Sequence, residues 1–426
     1  MVKTTWYCTK WQIMIMPIIL IIFMPTYFYT QYSIVGKTMA FVQYGLFIFF
    51  ILSALSTKKF KGTPVFWMLV LAICFELLST ELSPTGELSL YLKTGVKLIG
   101  SLFFLEYGLR KNARDFLNVI LHVMEIIIIL NLLTIIIFPN GMYQTEAYTQ
   151  NYLLGYDNTH IGFQMMLLTL SCIYSFTYHK RLMFRTFFMF FIVLISTLLT
   201  MSITALIGLG VGFLGMLYLV RGERKKAKRG TIIFTPLFAT AILIIGSKIL
   251  IDGKIFTSAK AFIANLFDKD ITLSARTIIW SNSLKQISMR PWWGNGYELP
   301  DTVSSKLVDL SGQSGWGVSP HNTCLMVLYT GGIVLAAAVV MIILMLHRKL
   351  ILYNHEIIRS IFGLWILVIC VMGLAESHYD TMFMYALLFS YNIDLILGYA
   401  GKRVYEGGRV MEVRNRISRR MKGVSI

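Results

Sequence analysis

The chain has 426 residues, 56% of them hydrophobic, and a mean hydropathy of +0.67, well above the composition of soluble globular domains. Its 39 Lys plus Arg against 21 Asp plus Glu leave a net charge of +18, which in so apolar a chain points to membrane topology and anionic headgroups rather than to nucleic acid. A soluble enzyme is excluded, and so is a disulfide-stapled fold, because Cys74, Cys172, Cys324 and Cys370, four of the five cysteines, lie inside apolar runs.

Twelve apolar runs follow in chain order, at approximately 11–29, 38–56, 64–80, 89–109, 115–138, 159–178, 184–200, 203–220, 231–250, 322–346, 359–376 and 381–400. Each is close to the roughly 20 residues that a helix needs to cross a hydrocarbon core, and helices are expected because unpaired backbone is costly in lipid. Residues 186–220 form one apolar stretch of 35 residues, which we divide at Met201–Thr204 into two short spans. The first run, with Pro17 and Pro25, has no small-residue cleavage site after it and reads as a true first span. The expected fold is therefore an all-α polytopic membrane protein of about twelve transmembrane helices. Its parts are nine helices over 1–250, one large loop with short helices at 251–321, three further helices over 322–400, and a basic tail at 401–426.

Charge orients this arrangement. With both ends on the cytoplasmic side, 28 of the 39 Lys plus Arg fall inside and 8 outside, 7 of the latter in the long loop, as the positive-inside rule requires. The tail, with Arg414, Arg416, Arg419 and Arg420, suits a membrane surface. The 251–321 loop is then extracytoplasmic, and a connection of about 70 residues in a compact fold is usually functional.

Within the loop, 255–267 and 274–289 show helical apolar spacing. Arg276 and Trp280 stand four residues apart on the second of these, so both face one way. A guanidinium beside an aromatic ring clamps phosphate well, because its planar fork donates two parallel hydrogen bonds; the alternative is a solvated arginine stacked on Trp280. Pro291, Trp292, Trp293, Gly294, Asn295 and Gly296 form a turn, in which glycines permit positive φ or close backbone approach. The paired tryptophans either anchor at the interface or stack on sugars. His321 and Asn322 open the tenth span after Pro320; the histidine can take a proton near neutral pH, Asn322 can orient it or bind a hydroxyl, and the alternative is a capping pair. Gly331 and Gly332 allow close packing by another helix.

Taken together and in this order, these motifs resemble the O-antigen polymerase and O-antigen ligase superfamily, the Wzy and WaaL-like proteins. Its members carry Arg-x-x-x-Trp, then Pro-x-x-Gly-x-Gly, then His-Asn with a glycine about ten residues on, matched here by Arg276 and Trp280, by Pro291, Gly294 and Gly296, and by His321, Asn322 and Gly332. The ligase pattern has Gly, Thr or Tyr where this chain has Leu335, and an Arg in a Ser-Arg context where this chain reads Ser202, Ile203, Thr204. The resemblance is thus closer to a repeat-unit polymerase, with Lys248 or Arg290 as sources of the missing charge and Thr204 as a substrate contact. It implies glycosyl transfer from a polyprenyl-diphosphate-linked oligosaccharide on the outer face of a bacterial cytoplasmic (inner) membrane, to give a capsule, exopolysaccharide or O-antigen. His321 is the implied general base, Arg276 the group that neutralises the diphosphate, and Trp280, Trp292 and Trp293 the sugar platforms, with Gly294, Gly296 and Asn322 as further substrate contacts. No cofactor or metal is implied, since the lipid diphosphate is already an activated leaving group; the implied partners are membrane lipids, a flippase and a chain-length regulator, with no nucleic acid.

Other polar groups stand beside these. Asp268 and Asp270 match Asp-x-Asp and read as a solvated turn. The external segments 157–160 and 376–380 could line the same cavity as His321, with Glu376 as a sugar ligand or base, Asn158 as a substrate contact, and His160 and His378 as packing or capping residues. Ionisable residues inside spans are costly; among Glu76, Lys93, Lys97, Glu106, Glu125 and Asp394, the pair Lys93 and Lys97 is spaced to bind diphosphate or to snorkel. The rival readings are a ligase and, in another class, a flippase or transporter, against which the lack of an internal repeat counts.

Overall fold

The computed structural model describes residues 9–56, 60–145, 150–224, 232–251, 273–308, 319–352, 356–398, 405–406 and 409–410. In chain order its elements are α1 (Lys10–Ile22), α2 (Thr26–Gln31), α3 (Ser33–Leu55), α4 (Pro64–Leu82), α5 (Leu88–Ile137), the hairpin of β1 (Asn151–Tyr152) and β2 (Gly155–Tyr156), α6 (Asp157–His179), α7 (Phe184–Thr200), α8 (Ile203–Arg224) and α9 (Pro236–Ile251). Then come α10 (Leu273–Met289), α11 (Pro300–Leu307), α12 (Thr323–Ile351), α13 (Glu356–Met372), α14 (Thr381–Tyr391), α15 (Ile393–Ile396) and a small hairpin of β3 (Tyr405–Glu406) and β4 (Arg409–Val410). Among the described residues six helices are long and apolar enough to cross a membrane, and five shorter ones are apolar. The chain is an all-α membrane protein.

Local chemistry sets the helix ends. Thr9 closes a capping box on α1, Thr63 caps α4 with Pro64 in its first turn, and Asp380 caps α14 through Phe383 N at 2.8 Å. The 35-residue apolar stretch divides where expected: Met201 is left-handed at φ 51°, which ends α7, and Ser202 accepts from Ala205 N at 3.4 Å to start α8. Helix α5 is 50 residues long, which would extend about 75 Å if straight, far more than the hydrocarbon core. Asn112, at φ −163° and ψ 88°, breaks it, and its Oδ1 accepts from Asp115 N at 3.1 Å to cap the second half, between the separate helices expected at 89–109 and 115–138.

Three carboxylates in the apolar helices are paired with a cation. Glu106 pairs with Arg110 at 2.8 Å and also accepts from Thr63 N and from Asn392 Nδ2 at 2.6 Å; Glu125 pairs with Arg185, and Asp394 with Lys349 at 3.0 Å. Helix α12 packs against α4 and α9, and α13 against α8 and α9. Residues 274–289 form α10 as expected, whereas α11 was not anticipated. The expected helix at 255–267, Asp268 and Asp270, and the arginines of the tail lie outside the described residues.

Candidate functional site

The site is built around a broken helix. Gly332, at φ 60° and ψ −157°, interrupts α12, and the freed backbone groups are paired by the turn at 291–296. Ile333 N donates to Pro291 O at 2.8 Å and Val334 N to Trp292 O at 3.2 Å, while Asn295 N donates to Tyr329 O at 2.6 Å and Gly296 N to Thr330 O at 2.9 Å. Ser79, at the end of α4, donates to Thr330 O at 2.6 Å and to Trp293 O. Gly294 and Gly296 have φ of 72° and 71°, and a Cβ at Gly294 would lie 2.6 Å from Tyr329 O, one at Gly296 2.4 Å from Thr80 Cα, and one at Gly332 2.4 Å from Trp292 O. Backbone-to-backbone packing thus requires glycine at Gly294 and Gly296. The pair Gly331 and Gly332 likewise admits this turn rather than a neighbouring helix.

Trp280 lies in a packed core. It is 1% exposed and packs with Ile279, Val303, Leu307, Leu325 and Tyr329, so its ring joins α10, α11 and α12 instead of offering a face to a sugar. The same core has a polar lock: buried Glu298 takes Lys306, Thr85 and Tyr329 Oη, the last at 2.7 Å. Tyr297 N donates to Thr80 Oγ1 at 2.9 Å and Glu87 N to Tyr297 O at 2.8 Å, which ties the loop to the α4–α5 corner. Arg290 donates to Leu82 O at the end of α4, a structural clamp.

On this frame three residues far apart in sequence meet. Glu376, in the loop between α13 and α14, accepts from Arg276 Nη2 through Oε1 and from His321 Nδ1 through Oε2 at 2.9 Å. Side-chain exposures of 25% for Arg276, 19% for His321 and 10% for Glu376 describe a centre that is sheltered yet reachable. Burial raises the affinity of Glu376 for a proton, but the hydrogen bond and charge of His321, with Arg276 and His378, outweigh it and hold the carboxyl below its ordinary range. His378 moves down, because burial disfavours its charged form more than Asp380 and Glu376 favour it. His321 is left-handed at φ 46°, costly for a residue with a Cβ and common where a site overrides local preference.

The turn at His321 is held by its neighbour. Asn322 is fully buried: Oδ1 caps α12 through Leu325 N at 3.1 Å, and Nδ2 donates to Ser247 Oγ at 2.9 Å and Leu374 O at 3.0 Å. Thr323 N donates to Gly373 O at 2.8 Å, and Thr323 Oγ1 donates to Glu376 O at 3.2 Å and accepts from His378 N at 2.9 Å. Asn322 thus caps and braces the start of α12. Ser247, Thr323 and Glu298 were not anticipated; a single hydroxyl or carboxylate in a chain this long carries no pattern.

The other expected residues have separate locations. Trp292 is 64% exposed and Trp293 half-buried beside the turn. Lys93 is exposed and Lys97 half-buried on the first half of α5, with Lys97 Nζ 5.8 Å from the Tyr44 ring; neither has an ion pair among the described residues. Thr204 is half-buried in the first turn of α8. His160 is buried, with Nε2 2.8 Å from Gly155 O, the packing role expected for it. The side chain of Asn158 lies outside the described residues. An apolar cavity of about 530 Å³ lies between α9, α12 and α13, with Ser247, Lys248 and Thr323 among its lining residues.

A family model described as O-antigen ligase (Wzy_C) matches residues 188–340. The match covers Arg276, the 291–296 turn, His321 and the α12 break, so the superfamily resemblance read from those motifs is borne out; it ends before Glu376. No curated protein matches the chain.

Proposed function

We propose that this chain, a member of the O-antigen ligase and polymerase superfamily through residues 188–340, polymerises polyprenyl-diphosphate-linked oligosaccharide repeat units on the outer face of the cytoplasmic membrane. The observation that carries the reading is the Arg276–Glu376–His321 centre at the outer end of α12. Nδ1–H of His321 donates to Glu376, which leaves Nε2 as the basic nitrogen. Nε2 takes the proton of the acceptor hydroxyl as its oxygen attacks the anomeric carbon; the bond from that carbon to the phosphate oxygen breaks, and polyprenyl diphosphate departs. Base catalysis of this kind contributes typically about 10²–10⁴ in rate. Arg276, pre-oriented by Glu376, stabilises charge developing on the leaving diphosphate.

Three further observations support the reading. The apolar cavity opens next to Asn322 and Thr323 and is of a kind to hold the first units of a prenyl chain; Lys248 on its wall is the remaining candidate for a second phosphate contact, since Arg290 is engaged with Leu82. With α5 counted as two segments about Asn112, the long and short apolar helices number twelve, as many as the twelve-span reading requires, in which both termini are cytoplasmic and 251–321 is outside. The departure in sequence at Leu335, where ligases carry Gly, Thr or Tyr, supports polymerase over ligase; the residue itself is fully buried at the α4–α12 contact with Ala72 and Val327.

The test uses cells in which Arg276→Ala or His321→Ala replaces the wild-type protein. Chain extension should be lost while the protein inserts normally and single repeat units still reach the outer face. Polymer of wild-type length from both variants refutes the mechanism. Long lipid-linked chains as the wild-type product identify a polymerase, and transfer of finished glycan to a different acceptor identifies a ligase.

A further inference from the structure

Glu76 is the exception among the buried carboxylates of the apolar helices. Glu106 and Glu125 each have a cation, whereas Glu76, 7% exposed on α4, has none among the described residues. Its Oε2 accepts from Tyr91 Oη at 2.9 Å, and Tyr91, Tyr297 and Tyr379 all lie within electrostatic reach of its charge. A carboxylate in an apolar setting without a counter-charge is expensive and usually functional.

A second observation lies around Tyr379, which is within electrostatic reach of Glu76. Ser377 Oγ, His378 Nε2 and Tyr379 Oη belong to three consecutive residues, and all three atoms are buried with no hydrogen-bond partner among the described residues. Native proteins pair nearly all such atoms, so a run of three calls for a partner. These residues directly follow Glu376, and Tyr379 packs at the α4–α12 contact beside Ala72 and Val327. Glu76 is linked to the loop from its other side: Thr80 Oγ1 donates to Glu76 O at 2.7 Å and accepts from Tyr297 N at 2.9 Å, and the Tyr297 and Tyr91 ring centroids are 5.7 Å apart.

We propose that Glu76, Ser377, His378 and Tyr379 form a saccharide subsite that receives the terminal sugar of the acceptor chain and delivers its hydroxyl to His321. The chemistry suits a polyol and little else. A carboxylate accepts from two sugar hydroxyls, the imidazole and the two hydroxyl groups both donate and accept, and Tyr91 and Tyr297 supply aromatic surface against the C–H face of a pyranose. The subsite rests on the glycosyl-transfer reading, and Glu76 acts in it as a specificity-determining residue.

The experiment uses the full-length protein in detergent, with its lipid-linked repeat unit, blocked at the terminal sugar's acceptor hydroxyl, as saturating donor. The acceptor is the free oligosaccharide repeat released by mild acid from the same cells. Glu76→Gln should raise the acceptor KM about tenfold, the effect of losing a charge-assisted hydrogen bond, with donor KM and kcat within about threefold of wild type; Tyr379→Phe should raise it about three- to tenfold. A merely structural role would move kcat, both KM values and the melting temperature together. Unchanged acceptor KM in both variants overturns the subsite, and if Glu76→Gln fails to fold, Tyr379→Phe and Ser377→Ala decide. Calorimetric binding of the free oligosaccharide in the absence of donor separates the two ideas. Wild-type binding that weakens about tenfold in Glu76→Gln upholds the subsite even if no polymer forms, in which case only the polymerase reading falls.

Discussion

Replacing Glu376 with Gln tests the centre of the site most directly. The carboxylate accepts from Arg276 and from His321 Nδ1, and its side chain is 10% exposed, so solvent does little to replace either bond. Hydrogen bonds to charged groups contribute roughly 1.5–3 kcal/mol each, so two of them amount to about 3–6 kcal/mol; at about 1.4 kcal/mol per factor of ten, kcat should fall about 10²- to 10⁴-fold. Glu376→Asp should recover part of this, since the charge is kept and only reach is lost. Elongation of the lipid-linked repeat unit by purified protein is the assay. The pH dependence of stability supplies a second readout with a definite sign. The folded carboxyl lies below its ordinary value near about 4.3 because His321, Arg276 and His378 outweigh the effect of burial. Its stabilisation is therefore fully present above the ordinary value and is lost as pH falls through the depressed folded value. The melting-temperature gap between wild type and Glu376→Gln should be constant near neutrality and close in that acidic window. Elongation by Glu376→Gln within about threefold of wild type, with a normal melt, refutes the arrangement.

Two further substitutions address the scaffold. Gly332→Ala places a Cβ 2.4 Å from Trp292 O at a φ of 60°, and strain of this kind costs on the order of 1–3 kcal/mol or more; folded yield and melting temperature should both fall. Trp280→Ala should destabilise by about 3–5 kcal/mol, as for other large core aromatics, whereas Trp292→Ala, at a residue 64% exposed, should leave the melt unchanged. A melt that responds to Trp292→Ala and not to Trp280→Ala would invert the assignment of the two rings.

Sequence periodicity made most of the helical framework legible, because a continuous apolar run has few ways to satisfy its backbone in lipid. The division at Met201 was also readable, since polar residues follow directly. Arg276, His321 and Glu376 could each be picked out as polar groups in an external segment, but their convergence could not: 100 residues separate Arg276 from Glu376 and 55 separate His321 from it. Roles were harder to read than positions. Gly294, Gly296 and Trp280 belong to a motif, and a motif kept for packing looks the same on paper as one kept for binding. Trp280 is four residues from Arg276 yet faces the α11–α12 core, because Val303, Leu307, Leu325 and Tyr329 surround it. No local pattern announces those distant neighbours.

The repair of α12 by the 291–296 turn bears on how the chain is made. A helix interrupted at Gly332 has backbone donors at Ile333 and Val334 that the bilayer cannot solvate, and their acceptors, Pro291 O and Trp292 O, are already synthesised when α12 leaves the ribosome. Vectorial synthesis thus delivers the splint before the fracture. A circular permutant that moved α12 ahead of the loop would expose those donors during insertion, even though its finished fold would be the same.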